Sequence, residues 1–379
     1  MNEGRRIWWL PHPLVWVYLV LGGLFAAVLY FASQEFGYFL AEDPLFLISE
    51  GLVFGVVAAI ITVAYRVRKL LQNPLSLAGI VMVLFFAAIA IAAPWLAPPL
   101  APDARPDDPY RIAQCGYLPT PKPPKTPDPL DGIIKIVTRQ ATICQISPFG
   151  TTENQYDIYY GIVWGTHMAF FVGIIITFAN VLIGIAIGAI SAYFGRWVDE
   201  ILMRITDIFL AFPFLIAAVT MAAVLRAKFG SSGGLMIGVI ALIVFGWMGY
   251  ARLIRGDILS IREREYVLAV KAMGARDLRI LLKHILPNAI YPTLVVASLD
   301  VGTYVLSFAA LSFLGLGAEI GFADWGQMIS FARNWIPNLY EFWYIVFYPG
   351  MAILLFVLGW NLIGDAFRDI LDPRLKGRT

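Results

Sequence analysis

Three carboxylates stand in or beside stretches that are otherwise apolar: Glu50, Asp207 and Asp300. A charged side chain at membrane depth must face protein or a water-filled path, so each is a candidate for ion or substrate handling. Three scattered carboxylates are sparse for a proton relay. Asp207 reads as an interfacial group that pairs with Arg204 or caps a turn. Asp300 falls about three turns into an apolar run if that helix begins near Asn288, and packing and pathway-lining roles are both open to it. Other chemistries lack their residues. The histidines His12, His167 and His284 are scattered and none sits in an H-E-x-x-H spacing, which disfavours a zinc peptidase. The chain contains no Gly-Lys dipeptide from which a phosphate-binding loop is built, so it is not expected to hydrolyse ATP. A G-x-S-x-G nucleophile turn is missing as well.

The elements that position these groups follow from solvent. The 379 residues are 59% hydrophobic and 14% charged, with mean hydropathy +0.74; a soluble domain carries roughly 25% charged residues. Apolar runs occur at 14–32, 51–65 with a lead-in from 45, 75–96, 161–194, 205–225, 234–251, 294–316 and 342–364. A helix needs about 20 residues to cross a hydrocarbon core of ~30 Å, so these runs predict eight crossings. The run 161–194 is too long for one perpendicular crossing and should tilt or extend beyond the membrane. Gly161/Gly165 and Gly184/Gly188, each at GxxxG spacing, suit close helix contacts, although ordinary packing explains them equally. Lys and Arg near helix ends stay on the cytoplasmic side. Arg5, Arg6, Arg66, Arg68, Lys69, Arg196, Arg204, the cations of 252–283, and Arg368, Arg374, Lys376 and Arg378 fall on one side if the crossings alternate, which places both termini in the cytoplasm. A signal peptide competes for the N-terminus, but an uncharged run of 19 residues exceeds the usual ~7–15 and favours a retained helix.

The external connection 98–160 is crowded with proline from Pro98 to Pro129, which predicts extended or irregular chain and argues against a compact fold of its own. It holds the only cysteines, Cys115 and Cys144. An oxidising compartment permits them to pair, and a disulfide is the prediction, with two free thiols as the alternative. No nearby His or further Cys completes a metal site.

The connection from Arg252 to Pro287 is charged yet patterned. Tyr266, Val267, Val270 and Met273 recur at helical spacing, as do Leu278, Leu281, Leu282 and Ile285. Gly274 separates the two runs, and Pro287 should interrupt the pattern where the next membrane helix begins. Such a segment suits a lever whose apolar face enters a partner's groove. Periodicity alone leaves a solvated basic loop equally open.

This segment resembles the EAA loop of permeases in binding-protein-dependent ABC importers. Gly274 and Leu286-Pro287 match that pattern at its spacing. Leu268-Ala269-Val270 occupies the Glu-Ala-Ala position without its Glu, which Glu265 would replace from one turn earlier. Ala192-Tyr193-Phe194-Gly195, Val198-Asp199-Glu200, Ala211-Phe212-Pro213 and Arg262-Glu263-Arg264-Glu265-Tyr266-Val267 extend the likeness. So do His284-Ile285-Leu286-Pro287-Asn288, Ser312-Phe313-Leu314-Gly315-Leu316-Gly317, Trp325-Gly326, Asn361-Leu362-Ile363-Gly364-Asp365 and Leu371-Asp372-Pro373-Arg374. Together they resemble the C-type permease of dipeptide and oligopeptide importers from about Asn73 onward. The chain departs from that pattern at Ser147-Pro148-Phe149-Gly150-Thr151-Thr152, at Gln155-Tyr156-Asp157 and at His167, where Arg is common.

The resemblance implies an all-α polytopic membrane protein with a type I permease core of six helices. Two additional helices in 1–72 precede the first core helix at 73–97, the irregular insertion occupies 98–160, and the remaining core occupies 161–379 with its coupling loop at 252–287. It implies a non-catalytic subunit in the cytoplasmic membrane of a bacterium or archaeon. The implied partners are a second homologous permease, two ATPase subunits carrying ATP and Mg, an extracytoplasmic substrate-binding protein and membrane lipid, with no nucleic acid and no cofactor in this chain. Coupling would run through Glu265, Tyr266, Ala269, Lys271, Ala272, Gly274 and Ala275, and Asp300, Tyr304 and His167 are the pathway candidates. Peptides are the implied cargo, with oligosaccharides or nickel complexes as alternatives and an ion-coupled secondary transporter as a different class. The insertion suggests a docking surface or lid for the binding protein, as opposed to an inert spacer.

Overall fold

The computed structural model describes residues 13–36, 44–66, 73–98, 110–230 and 233–371. Arg5, Arg6, Arg68, Lys69, Arg374, Lys376 and Arg378 among the cations used above to orient the chain, the prolines of 99–109 and the Asp372-Pro373-Arg374 end of the last motif lie outside the described residues. The first two apolar runs form α1 (Pro13–Phe36) and α2 (Pro44–Arg66), and the third forms α3 (Pro74–Ile91) with the short α4 (Ala93–Leu96). Asn73 starts α3 by accepting from the N–H of Leu75 at 3.0 Å, with Pro74 beside it where a missing N–H costs nothing.

The chain then builds a cap from 110 to 157, containing α5 (Pro129–Val137) and α6 (Ile143–Ile146). Cys115 and Cys144 form a disulfide with Cα atoms 4.9 Å apart. The proline-rich stretch is irregular where it is described, as expected, but the cap is not loose. Isolated bridges pair Arg111 with Phe322, Gln114 with Tyr156 and Lys122 with Thr151. Tyr110 and Ile136 are wholly buried. The cap achieves this order by packing on the membrane bundle: the N–H of Ile112 donates to Gly321 at 2.7 Å, and that of Ala323 to Tyr110 at 2.6 Å.

Asp157 caps α7 (Ile158–Phe194), its Oδ1 accepting from the N–H of Tyr160 at 2.9 Å. Thirty-seven residues at 1.5 Å each span about 55 Å, well beyond one hydrocarbon thickness, so α7 joins the cap to the opposite end of the molecule as one helix. The next stretch departs from its prediction. No straight helix covers 205–225; α8 (Arg196–Leu210) and α9 (Phe214–Phe229) meet at 85°. Pro213 breaks the helix, and α8 carries Asp199, Glu200, Arg204 and Asp207 on one side, which suits a helix lying along the membrane surface.

α10 (Gly234–Val244) and α11 (Met248–Arg262) return from the cap side, followed by α12 (Glu265–Ala272) and α13 (Asp277–Ile280). A π-helical turn, Leu281–Ile285, runs directly into α14 (Leu286–Phe313). Pro287 therefore does not interrupt the helix: it falls in the first turn of α14, and the wide turn before it absorbs the misfit. α15 (Trp325–Ser330) and α16 (Leu339–Phe342) lie on the cap side before α17 (Tyr344–Leu371) crosses back. Six described stretches are long and apolar enough to cross a membrane, or seven if the bent pair is one span. Tyr18–Tyr30 of α1 is a shorter apolar stretch, so the described residues come close to the expected eight crossings.

Burial pushes the Asp157 carboxyl up to about 7 against the pull of the Tyr160 N–H and of Lys125. A carboxyl whose pKa rises on folding favours the folded state most when protonated, so the cap should gain stability as pH falls from about 8 towards the unfolded value near 3.8. Hydrogen exchange of residues 150–160 should show that gain, and Asp157→Asn, which keeps the capping acceptor, should flatten it.

Candidate functional site

At the end of α7 far from the cap, a small apolar core holds the patterned segment in place. Val267 of α12, Ile280 of α13, and Leu281 and Ile285 of the π turn are buried against Ala189 and Ala192 of α7 and Ile254, Ile258 and Ile261 of α11. The segment starts at Arg264, whose extended backbone precedes α12. Glu265 stands in the first turn of α12 and Lys271 in the last, both matched to the helix dipole. Gly274 ends the helix at φ +80°, a left-handed conformation that a side chain disfavours, with open space around the missing Cβ.

The expected apolar stripe divides in two. Val267 turns inward and Val270 is half-buried, whereas Tyr266, Leu268, Met273, Leu278 and Leu282 are exposed. Glu265, Ala269, Lys271, Ala272 and Gly274 are exposed with them, and Ala275 is half-buried. The predicted coupling residues thus form one outward surface whose inner face is anchored. Its position is secured by polar ties: Arg262 donates to the Ala192 carbonyl at 3.0 Å, and Tyr193 donates to Asp277 at 2.6 Å.

The surface helix α8 is tied to α11. Arg255 grips Asp199 through two nitrogens at 2.6 and 2.5 Å, and Ser191 also donates to Asp199. Arg252 lies 2.5 Å from Asp207, so Asp207 pairs with α11 and not with Arg204. A planar guanidinium holding both carboxylate oxygens fixes orientation as well as distance.

Higher in the bundle, α10 and α11 are separated by a break at Phe245–Trp247, and polar groups gather there. The Tyr304 hydroxyl donates to the Gly246 carbonyl at 3.2 Å, replacing a helical bond lost at the break. Tyr250 donates to Asp300 at 2.5 Å. Asn180 of α7 is wholly buried and lies against Gly246 and the Tyr304 hydroxyl. Asp300 and Tyr304 are thereby brought together. His167 is elsewhere, wholly buried under the cap, with Nδ1 3.2 Å from Ser49 of α2 and Nε2 2.8 Å from the Ala90 carbonyl of α3. Asn180, Tyr250 and the Asp199–Arg255 pair were not singled out in sequence. A lone amide inside the uncharged run 161–194 was the available sign for Asn180. Among the described residues no group of three or more His, Cys, Asp or Glu could hold a metal.

The geometry is that of a polytopic helical bundle with an anchored, outward-facing pair of short helices at one end. A family model described as binding-protein-dependent transport system inner membrane component matches residues 184–377, and a second, the N-terminal TM domain of oligopeptide transport permease C, matches 52–119. The dipeptide transport system permease protein DppC of Bacillus subtilis is 30% identical over 316 residues, 82% of this chain and 85% of that protein. DppC of Alkalihalophilus pseudofirmus is 40% identical over 228 residues, 60% and 72% of the two chains. The glutathione transport system permease protein GsiD of Pectobacterium atrosepticum is 36% identical over 220 residues, 58% and 70%. The chain belongs to the family of inner membrane components of binding-protein-dependent transport systems.

Tyr250→Phe removes the side-chain donor to Asp300 and should lower the stability of the detergent-purified protein by about 1–3 kcal/mol. Asp300→Asn, which still accepts, should cost less. Thermal unfolding of the two variants makes the comparison.

Proposed function

We propose that this chain forms half of the translocation pathway of a peptide importer and takes its driving force from ATP and Mg bound on two separate ATPase subunits. The observation that carries the reading is the outward row on α12 and α13. Tyr266, Leu268, Met273 and Leu278 would enter a groove on an ATPase while Glu265 and Lys271 orient the contact. Behind them the core from Val267 to Ile285 passes any push directly to α11, α7 and α14. A movement of the ATPases on binding ATP would then turn membrane helices instead of bending a loop. This side faces the cytoplasm, as do both termini, and the cap faces outward in the cytoplasmic membrane.

The other partners are a second homologous permease and an external binding protein that delivers cargo. Peptide as the cargo rests on the relatives, which are named for dipeptide and glutathione transport. Asp300 is half-buried beside the break in the helix preceding the coupling segment, and with Tyr304 it would line the pathway near the second permease. His167, enclosed on all sides, would instead brace α2 and α3 against α7. This chain itself performs no catalysis and carries no cofactor.

A bulky side chain at φ +80° costs about 1–2 kcal/mol, enough to reduce the population of the competent turn by roughly tenfold. Gly274→Val should therefore lose both co-purifying ATPases and peptide-stimulated ATP hydrolysis, while Gly274→Asn, which tolerates left-handed backbone, should retain most of both. Uptake by the chain alone, driven by an ion gradient in liposomes, would overturn the proposal in favour of a secondary transporter.

A further inference from the structure

The cap helix α5 has three different faces. At roughly 100° per residue, Leu130, Ile134 and Val137 fall within about 60° of arc, and they are exposed by 69%, 60% and 41%. Gly132 and Ile136 are buried on a second face. Asp131 and Lys135 occupy a third, paired at 2.5 Å and about half exposed. A helix covered by protein on one side and by water on another needs a third environment for an exposed aliphatic stripe.

Two observations set the level of α5 along the bundle. It packs against α4, the short helix that ends the span begun by α3. It also connects to the start of α17 through successive contacts. A Cβ on Gly132 would lie 3.4 Å from Pro148, and the neighbouring Phe149 stacks on Tyr348 with centroids 4.2 Å apart. Trp343 and Phe347, packed on each other beside Tyr348, are about half exposed. Exposed Trp beside an apolar helix end marks the boundary between hydrocarbon and water. The aliphatic stripe of α5 lies at that same boundary. It also lacks the Trp, Tyr and Arg that dominate protein interfaces.

We propose that α5 is an interfacial helix whose Leu130, Ile134 and Val137 insert into the membrane lipid, so that the disulfide-closed cap is anchored to the bilayer as well as to the bundle. With the orientation given above, the leaflet is the outer one; the lipid contact itself does not depend on that orientation or on peptide transport. The cap then serves as a fixed platform, and surfaces other than this stripe are left for the binding protein.

The test places a photoreactive diazirine residue at position 130, 134 or 135 in the assembled transporter. The complex is reconstituted in liposomes of phosphatidylethanolamine and phosphatidylglycerol and irradiated with and without the binding protein. Phospholipid adducts severalfold more abundant at 130 and 134 than at 135, with or without the binding protein, are the expected result. Equal lipid labelling at all three positions, water-quenched product alone, or protein adducts at 134 that appear only with the binding protein would each overturn the proposal. An intact Cys115–Cys144 peptide in a non-reducing digest verifies that each variant has a folded cap.

Discussion

The backbones of α7 and α11 meet where Gly184 and Gly188 place no side chain between them. A Cβ on Gly188 would lie 2.3 Å from the Ala251 carbonyl, and one on Gly184 would lie 2.4 Å from the Cβ of Tyr250. Lipid supplies no hydrophobic force that would press two apolar helices together, so contact at this range depends on dispersion and shape. The rest of the far end follows from it. With α11 fixed on α7, Arg255 and Arg252 reach the carboxylates of α8, Arg262 reaches Ala192, and the inward residues of α12 and α13 find a surface to pack on. The other small pair, Gly161 and Gly165, acts at the opposite end, where it seats Met328 and Trp325 of α15.

This arrangement combines stiffness with a few places that can give. Helix α7 is continuous from the cap to the opposite end, and α13 through α14 forms a second long rod with only the π turn inside it. The irregularities are the bend at Pro213, the break at Gly246 and the turn at Gly274. Two of these have their polar groups or backbone conformation provided for nearby: Tyr304 serves the carbonyl at Gly246, and the missing Cβ of Gly274 leaves its φ unstrained. Under the proposed coupling, a push at one surface would become rotation of membrane helices through this division between rods and hinges.

The cap obeys a different constraint. Its proline-rich chain cannot form a sheet, and its pairings are single bridges. Order comes from one covalent closure and from burial of Tyr110, Ile136 and Ile143 against the bundle. That external support is the reason a stretch of poor local propensity is nevertheless fixed.

Much of this was legible in the residues alone. Apolar runs of membrane length, the two cysteines in one connection, and the glycine between two patterned stretches are local properties, and lipid thickness, compartment chemistry and the φ requirement of a turn convert them directly into structure. What local pattern could not decide was direction. Val267 and Tyr266 are neighbours in one short helix, yet one faces the core and the other points outward, because α7 and α11 lie on one side only. Asp207 turned to Arg252 and not to Arg204, since a long side chain from a neighbouring helix reached it first. His167 and Asp300, alike in sequence as polar groups among apolar ones, separated into a group wholly enclosed under the cap and a half-buried carboxylate in a largely buried cluster beside a helix break. Helical periodicity gives the angle between side chains, but only the packing of distant helices determines which angle is inside.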